Sequence, residues 1–555
     1  MRGLNMKRKA MKTLSIYIGI IGMLLLAVLP AKAASEAEFR KLSKTYTLRA
    51  DGSQEVRVQK ELTLFTHAAM NSLYGETFIV YDPDFQKLEI HESYTRQKDG
   101  TVIKTPANAL VEVLPSAAAN APAYNRLKEM VVVHTGLELG ATIVLDYSIV
   151  SKAGYLPALD VCCPVKELSP IKEYTFQLNV PADKMVHYEL LNASAQPATA
   201  QKDGMKSFTW TLKDVQPRPY AYPSARGSMG QVQMAASGMM PVFIASAWAN
   251  YGEALKSLKA QFQAGDPAVV KAKLAELTQG LKDNPQAVRN AIASYMTEMY
   301  RLGRCGVSLQ EAGYRLRPAS EVIRSAYGTQ AELVNLDVAL QQAAGLEAEV
   351  AVCALHPSEA ADQGLSTIVS LVAQSKLMPE KVALTGTDEA GLQSFLTVTD
   401  LEGKSLKLAD YLGAKKSQQT DTLKVDETKM QQPAEGWGIV TLSDPTPVRT
   451  LYTYAANTTI PENILLPNTV DYTLETVVCL PEGMKMAPRA DRELSNACGK
   501  VAFSYQPTKD GVKVTRTLKI DRQLQTPSNY KELYALLAEW KDANNHTLVV
   551  KKVSE

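Results

Sequence analysis

At about 150 residues per domain, a chain of 555 residues is long enough for three or four domains, each with its own core. Hydrophobic residues make up 46% and charged residues 21%, which is typical of a globular protein, and no dense basic stripe predicts nucleic-acid binding. Six cysteines are too few for a disulfide scaffold, although Cys479 and Cys498 lie in one region and could form a bridge.

The first 33 residues have the pattern of a secretory signal peptide. Four basic residues between positions 7 and 12 precede an almost wholly apolar run from Leu14 to Pro30, and Ala31-Lys32-Ala33 provides a small-x-small cleavage site. Removing this segment takes six basic residues from a formal charge of +2 and leaves −4. No later apolar stretch reaches the roughly 18 residues that span a bilayer. We therefore predict an exported protein without a membrane span after cleavage.

Residues 34–235 are predicted to form a β-rich domain. Asp51-Gly52 and the segment from Lys98 to Thr101 are hairpin turns, and the first is followed by an alternating apolar run that predicts a strand. Many short strands separated by glycine and proline favour a β-sandwich.

The hydrophobic period then changes, and residues 236–411 are predicted to form an α+β domain. Asp266-Pro267 and Asn284-Pro285 each place an N-cap residue before a proline, as at the start of a helix. A third helix-like run extends from Ala331 to Ala344 and leads into a strand-like run from Glu347 to Val352. Helices followed by strands are typical of the α+β class.

A polar stretch over residues 412–434 is predicted to be a linker, and residues 435–555 a second β-sandwich. Lys509-Asp510-Gly511 marks a turn before a strand with alternating apolar residues. The segment from Ser528 to Trp540 predicts an amphipathic helix near the end of the chain.

Several short segments together resemble a family of bacterial envelope proteins. They include Tyr81-Asp82-Pro83 and the run from Gly136 to Gly140 in the first domain, and Gly313 to Pro318 with Tyr327-Gly328-Thr329-Gln330 in the second. Members of this family have an N-terminal domain of unknown function 3857 and a transglutaminase-like core. The resemblance implies a cysteine-protease-like core between two β-sandwiches. It implies export across the inner membrane to the periplasm, with the cell surface as an alternative.

The resemblance places a catalytic cysteine where this chain has Gln330. In such cores the thiol opens a helix, because unpaired backbone N–H groups and the helix dipole stabilise a thiolate there. Thr329 and Glu332 keep the spacing of a capping box, so the helix start is predicted to be intact. The neutral amide of Gln330 cannot become a nucleophile.

The other two positions of the implied triad are also changed. Aligning Gly403-Lys404 with the family's turn puts Ser394 at the histidine position and Ala409 at the aspartate position, and a shift of one residue would recover Asp410. No histidine lies between His356 and His546, so the loss of the imidazole does not depend on the alignment. A Cys-His-Asp triad is therefore not expected.

Two other constellations could carry chemistry. Cys305 lies upstream of Gln330, and a dyad of Cys305 with His356 could act as a nucleophile and base. Cys353 and His356 together supply only two metal ligands, whereas a zinc site needs three or four. We therefore predict neither a metal nor another cofactor.

We expect an exported, non-catalytic protein that binds a peptide, a protein or a glycan in the cell envelope. The alternative is an active thiol hydrolase or acyltransferase that uses Cys305 and His356. A third possibility is a structural spacer between the two β domains.

Overall fold

The protein has a strand-rich, multidomain architecture with seven β-sheets among the described residues. A computed structural model describes residues 35–165, 167–217, 240–281, 284–355, 364–375, 397–406, 416–443, 448, 450–455, 457–460, 464–466, 470–522, 524–526 and 528–553. The predicted signal peptide, residues 1–33, lies outside these ranges. Within them, no helix is long and apolar enough to cross a membrane.

The N-terminal region is built mainly from β-strands. Its strands are β1 (Ala37–Leu48), β2 (Gln54–Leu64), β3 (Glu76–Tyr81), β4 (Gln86–Arg96), β5 (Val102–Lys104), β6 (Leu110–Val113), β7 (Lys128–Val133), β8 (Thr142–Ser151), β9 (Asp160–Pro164), β10 (Ile171–Pro181), β11 (His187–Leu191), β12 (Ala198–Lys202), β13 (Met205–Val215) and β14 (Val242–Ser246).

These strands form one large sheet and two small ones. The large sheet has the order β12-β13-β10-β1-β2-β8-β4-β5, and the small sheets have the orders β3-β7-β6 and β11-β14-β9. The predicted hairpin turn at Asp51-Gly52 joins β1 to β2, and Gly52 has a positive φ of 83°. Phe176 of the large sheet stacks on Phe243 of a small sheet, with ring centroids 4.3 Å apart. Apolar side chains between the layers thus form the core of this region.

The central region contains five helices and one sheet among the described residues. The helices are α1 (Tyr251–Lys259), α2 (Pro267–Leu277), α3 (Pro285–Glu298), α4 (Ala319–Ser325) and α5 (Gln330–Ala343), and the strands are β15 (Ala348–Ala354), β16 (Ile368–Ser375) and β17 (Thr397–Asp400). The sheet has the order β16-β15-β17 and is antiparallel.

Local sequence signals explain where these helices begin. The Asp266 carboxylate accepts a hydrogen bond from the Ala268 N–H at 3.0 Å, and the Asn284 side chain caps α3 in the same way. Both predicted N-caps are therefore confirmed. Helix α5 is buried along almost its whole length and packs against α2, α3, α4 and the sheet. It is the central element of the region.

The C-terminal region is again strand-rich. Its strands and helix are β18 (Lys416–Lys424), β19 (Trp437–Thr441), β20 (Ile464–Leu465), β21 (Val470–Cys479), β22 (Met484–Met486), β23 (Arg492–Asn496), β24 (Gly499–Thr508), β25 (Gly511–Ile520), β26 (Leu524–Gln525), β27 (Thr547–Lys552) and α6 (Tyr530–Lys541). The main sheet has the order β18-β21-β25-β24-β23. The predicted terminal helix forms as α6, and its Trp540 packs against Phe503 of β24.

The linker predicted over residues 412–434 is wrong in its middle. Lys416–Lys424 forms strand β18, which pairs in parallel with β21 at the edge of the main sheet. The Tyr472 hydroxyl donates to Gln419 across this pairing at 2.8 Å. Edge strands with exposed faces are commonly polar, which is why the composition of this segment resembles that of a linker.

The possible bridge between Cys479 and Cys498 is not formed in the structure, where both cysteines are free. Cys479 pairs with Gly511 at the start of β25, whereas the Cys498 carbonyl accepts a hydrogen bond from Asp521, just beyond the end of β25. A strand of this length separates the two thiols by about 30 Å, and a disulfide needs Cα atoms within about 7 Å.

Candidate functional site

Helix α5 begins with a complete capping box. The Thr329 hydroxyl accepts a hydrogen bond from the Glu332 N–H at 3.2 Å, and the Glu332 carboxylate accepts one from the Thr329 N–H at 2.9 Å. The predicted capping box is therefore confirmed. Gln330, the first residue of the helix, is half-buried.

The Glu332 carboxylate is fully buried and joins three parts of the chain. The Arg317 guanidinium donates to it from Nε at 3.1 Å and from Nη2 at 3.0 Å, and the Arg317 N–H donates at 2.9 Å. The Tyr124 hydroxyl, from the N-terminal region, donates at 2.6 Å. Burial by itself would lower the pKa of Arg317, but the hydrogen bonds and charge of Glu332 raise it. Arg317 therefore stays charged and forms a buried ion pair with Glu332.

A cleft of about 600 Å³ lies at the start of α5, and we call it the helix-start cleft. Its described lining residues are Cys162, Pro164, Met240, Arg304, Cys305, Gly306, Val307, Ser308, Leu309, Gln310, Tyr314, Thr329, Gln330, Ala331, Leu355, Leu365, Ser366, Ile368, Val369, Ser370 and Leu371. This set includes one cationic side chain, Arg304, and no carboxylate. The cleft thus combines apolar side chains with hydroxyl and amide groups, and its one charged lining residue is positive.

Cys305 lies in the same cleft as Gln330. Its N–H donates to the Gly328 carbonyl at 2.9 Å, which places it beside the start of α5. The side chain is 8% exposed and packs against Tyr124, Leu127 and Val307. Burial raises the pKa of the Cys305 thiol, and the charge of Glu332 raises it further. Since a thiolate is the nucleophilic form, Cys305 is poorly suited to attack a substrate.

No hydrogen bond joins the Cys305 thiol to an imidazole within the described part of the chain. Its predicted partner His356 lies outside the described residues, as do Ser394 and Ala409. Burial raises the pKa of the Cys353 thiol, on β15, to about 12. Among the described residues, no group of three or more histidine, cysteine or acidic side chains could bind a metal ion.

One wall of the cleft is held by Asp160 of the N-terminal region. Its buried carboxylate accepts hydrogen bonds from the Leu365 N–H at 2.5 Å and the Ser366 N–H at 3.2 Å, from the Ser366 hydroxyl, and from the Trp248 indole at 3.0 Å. Burial raises the pKa of Asp160, and these hydrogen bonds oppose that rise. The wall continues into β16, whose only neighbour among the described strands is β15.

Tyr314 contributes a buried polar group to the cleft. The side chain is 6% exposed, and its hydroxyl has no hydrogen-bond partner among the described residues. Burial raises the pKa of this hydroxyl well above its usual range, so it is a donor at neutral pH. Such unpaired buried groups are uncommon in folded proteins.

A second cavity of about 590 Å³ lies between α1 and the C-terminal part of α5, and we call it the α1 groove. Its charged lining residues are Lys256, Lys259, Glu349, Asp400 and Glu402. Lys259 and Glu402 form an ion pair across it. The groove therefore contains both signs of charge.

The sequence did not identify four of the residues that shape the helix-start cleft. Tyr124 and Asp160 act through contacts between segments that are far apart in the chain, and no local pattern signals them. Tyr314 and Arg317 lie in a segment that the family resemblance had already singled out, but the burial of Tyr314 and the ion pair of Arg317 with Glu332 depend on tertiary packing.

Comparison with known proteins identifies both β-rich regions. Residues 50–219 match DUF3857, a domain of unknown function, and residues 440–550 match a second domain of unknown function, DUF3858. The predicted resemblance to DUF3857 is therefore confirmed. Among curated proteins, no match to this sequence was found.

The chain is also similar to a protein of known structure. A crystal structure described as a "putative protease" from Parabacteroides distasonis ATCC 8503 is 35% identical and has a TM-score of 0.75. The match covers 94% of this chain and 100% of that one. An M1 zinc metallopeptidase from Deinococcus radiodurans matches 39% of this chain and 44% of its own, at 11% identity and a TM-score of 0.18. The second likeness is too slight to bear on fold or function.

Proposed function

Because this chain belongs to the same family as the Parabacteroides distasonis protein and carries the domains DUF3857 and DUF3858, we propose that its function resides in the helix-start cleft of the central region. The chain is an exported, non-catalytic protein built on a transglutaminase-like scaffold. It binds an extended peptide in this cleft and does not cleave it.

The observation that carries this proposal is Gln330 at the start of a fully capped helix. A transglutaminase-like enzyme needs a thiolate at this position. Here the capping box and the buried Glu332 network keep the helix start in place, while the side chain is a neutral amide. The pKa values of the Cys305 thiol, which lines the cleft, and of the buried Cys353 thiol are both raised. The arrangement therefore supports binding rather than nucleophilic attack.

The edge strand β16 favours a peptide over a glycan. Residues 368–371 of this strand line the cleft, and β16 is at one end of the described sheet. An edge strand presents unpaired backbone groups that an extended peptide can pair with, while side-chain pockets supply specificity. Apolar residues such as Leu355, Leu365 and Leu371 offer such pockets.

Export follows from the signal peptide predicted over residues 1–33. The periplasm is the proposed location, with the cell surface as the alternative. Fractionation of cells that produce the full chain tests this: a mature protein beginning near Ala34 is expected outside the cytoplasm. Recovery of uncleaved protein from the cytoplasm contradicts it.

The binding proposal is tested with purified residues 34–555 and a library of random hexapeptides. Gln330→Trp fills the helix-start cleft and should abolish peptide capture. Gln342→Trp, at the other end of α5 in the α1 groove, is the matched control and should capture peptides like the parent. Equal capture by both variants places binding elsewhere. Peptide cleavage or amine transfer that iodoacetamide abolishes contradicts the non-catalytic role.

A thiol hydrolase is the second candidate, because Cys305 lines the same cleft as Gln330. The Parabacteroides distasonis protein is also described as a "putative protease". This candidate requires that Cys305→Ser abolish peptide cleavage while Gln330→Ala leaves it unchanged. The raised pKa of the Cys305 thiol argues against it.

A further inference from the structure

The start of α5 presents two backbone N–H groups to the helix-start cleft. The capping box occupies the N–H groups of Thr329 and Glu332, and the Leu333 N–H donates to the Thr329 carbonyl. Within the described residues, the N–H groups of Gln330 and Ala331 have no acceptor, and both residues line the cleft. Free N–H groups at a helix N-terminus form a natural anion-binding site.

The two carboxylates beside the cleft, Glu332 and Asp160, are both committed to donors of the protein, and Asp160 accepts from Leu365, Ser366 and Trp248. The Glu332 carboxylate is committed to Arg317 and Tyr124, and the described lining of the cleft contains Arg304 but no acidic side chain. The family resemblance places a thiolate here, whereas Gln330 is neutral. Glu332 lies in the first turn of α5, but no acidic side chain is among the described lining residues that could accept from the Gln330 and Ala331 N–H groups.

An independent observation in the same cleft also indicates a ligand. The Tyr314 hydroxyl is a buried donor without a partner among the described residues, and Tyr314 is one of the residues that line the cleft together with the helix start. A buried hydroxyl is normally hydrogen-bonded. An acceptor group on a bound molecule would satisfy it.

We infer that the helix-start cleft recognises the free carboxylate at the C-terminus of a peptide, an inference that rests on the proposed peptide-binding function. The carboxylate accepts hydrogen bonds from the Gln330 and Ala331 N–H groups, and the Tyr314 hydroxyl is a further donor. Leu355, Leu365 and Leu371 receive apolar side chains of the peptide. A carboxylate at the end of the peptide backbone leaves the last side chain free to enter the apolar part of the cleft, whereas an acidic side chain bound at the helix start does not.

Three libraries of random hexapeptides test this with immobilised residues 34–555 and quantification of bound peptides by mass spectrometry. The first lacks Asp and Glu and has free C-termini, the second has the same composition with C-terminal amides, and the third has amides and includes Asp and Glu. We expect the first to be captured at least tenfold better than the other two. Equal capture of the first and second overturns the inference and leaves the proposed function standing.

Two further outcomes of the library experiment would contradict the C-terminal assignment or the proposed function. Capture of the third library as strong as the first shows that a side-chain carboxylate suffices, which overturns the C-terminal assignment. Capture of none of the three overturns the proposed function and the inference with it.

Near-isosteric variants test the named residues. Gln330→Glu adds a negative charge beside the free N–H groups at the start of α5. It should reduce capture of peptides with a free C-terminal carboxylate at least tenfold. Capture of C-terminally amidated peptides should change little. Tyr314→Phe should reduce capture of free-acid peptides about threefold. Gln342→Glu, at the other end of α5, is the matched control and should change nothing. Thermal unfolding establishes that each variant is folded, and capture by folded Gln330→Glu that equals the parent overturns the inference.

Salt dependence provides a test that needs no variant. Because the binding is electrostatic in part, raising the ionic strength should weaken capture of the free-acid library more than that of the amide library. Identical salt dependence of the two libraries contradicts a charged contact.

Discussion

The helix-start cleft and the α1 groove lie along the same helix and have nearly equal volumes, about 600 and 590 Å³. They differ in charge. The α1 groove contains two lysines and three acidic side chains, and one pair of opposite charges is joined across it. The helix-start cleft contains a single arginine, no acidic side chain among its described residues, and the positive end of α5.

The two cavities therefore differ in how their charges are compensated, and not in size. In the α1 groove, acidic and basic side chains of the protein compensate each other's charge at the surface. In the helix-start cleft the nearby carboxylate of Glu332 is turned inward to Arg317. The Asp160 carboxylate at the wall is held by Leu365, Ser366 and Trp248. The donors at the helix start are thereby left for a ligand.

Removing the inward-facing carboxylate should have the largest effect. Glu332→Gln leaves the mostly buried Arg317 guanidinium without its counter-charge, and we expect a loss of about 3–5 kcal/mol in the free energy of unfolding. Urea denaturation of residues 34–555 measures it. Glu402→Gln in the α1 groove is the control and should cost less than about 1 kcal/mol. Equal losses in the free energy of unfolding for the two variants would contradict the difference between the helix-start cleft and the α1 groove.

A double variant separates charge from packing at the same place. Glu332→Leu combined with Arg317→Met removes both charges, so no unpaired ion is left buried. We expect it to be more stable than Glu332→Gln. If it is less stable, the hydrogen bonds to Tyr124 and to the backbone outweigh the ion pair.

The next largest effect is expected at the wall of the cleft. Asp160→Asn replaces the carboxylate with an amide, which then faces the hydrogen-bond donors of Leu365, Ser366 and Trp248. We expect a loss of about 1–3 kcal/mol in the free energy of unfolding. Hydrogen exchange at the Leu365 and Ser366 amides should become faster. The matched change Asp400→Asn affects an exposed turn beside the α1 groove and should stay below about 1 kcal/mol. Unchanged exchange at Leu365 and Ser366 argues against this wall contact.

A cysteine probe compares the two ends of α5 directly. The thiol introduced by Gln330→Cys lies at the positive end of the helix, where the pKa of a thiol is lowered. We expect iodoacetamide at pH 7.5 to modify it about tenfold faster than the thiol of Gln342→Cys, which lies near the negative end. Cys305 and Cys353 should react more slowly than either, because burial raises their pKa values. Peptide mapping measures each rate.

The smallest effects concern the exposed cations. Lys259→Ala breaks the ion pair with Glu402, and Arg304→Ala removes the cation of the helix-start cleft. Each should change the free energy of unfolding by less than about 1 kcal/mol. Only Arg304→Ala should weaken capture of free-acid peptides. Equal effects of the two variants on capture would remove the distinction between the cavities.

Local patterns predicted much of the fold because they depend on neighbours in the chain. The turn at Asp51-Gly52, the caps at Asp266 and Asn284, and the capping box of Thr329 all form as predicted. The errors arise where long-range pairing decides. The polar segment Lys416–Lys424 becomes a strand because β21 offers it an edge, and Cys479 and Cys498 are held apart by the length of β25.

The sequence by itself determined that Gln330 opens a capped helix and that a neutral amide stands where the family resemblance expects a thiol. Both follow from residue identity and short-range spacing. Only the tertiary structure decided which charges reach the cleft: Glu332 is turned inward because Arg317 and Tyr124 meet it from other segments. It also brought Cys305 beside Gln330 and buried the Tyr314 hydroxyl. Such contacts depend on how distant segments pack, and no local spacing encodes them.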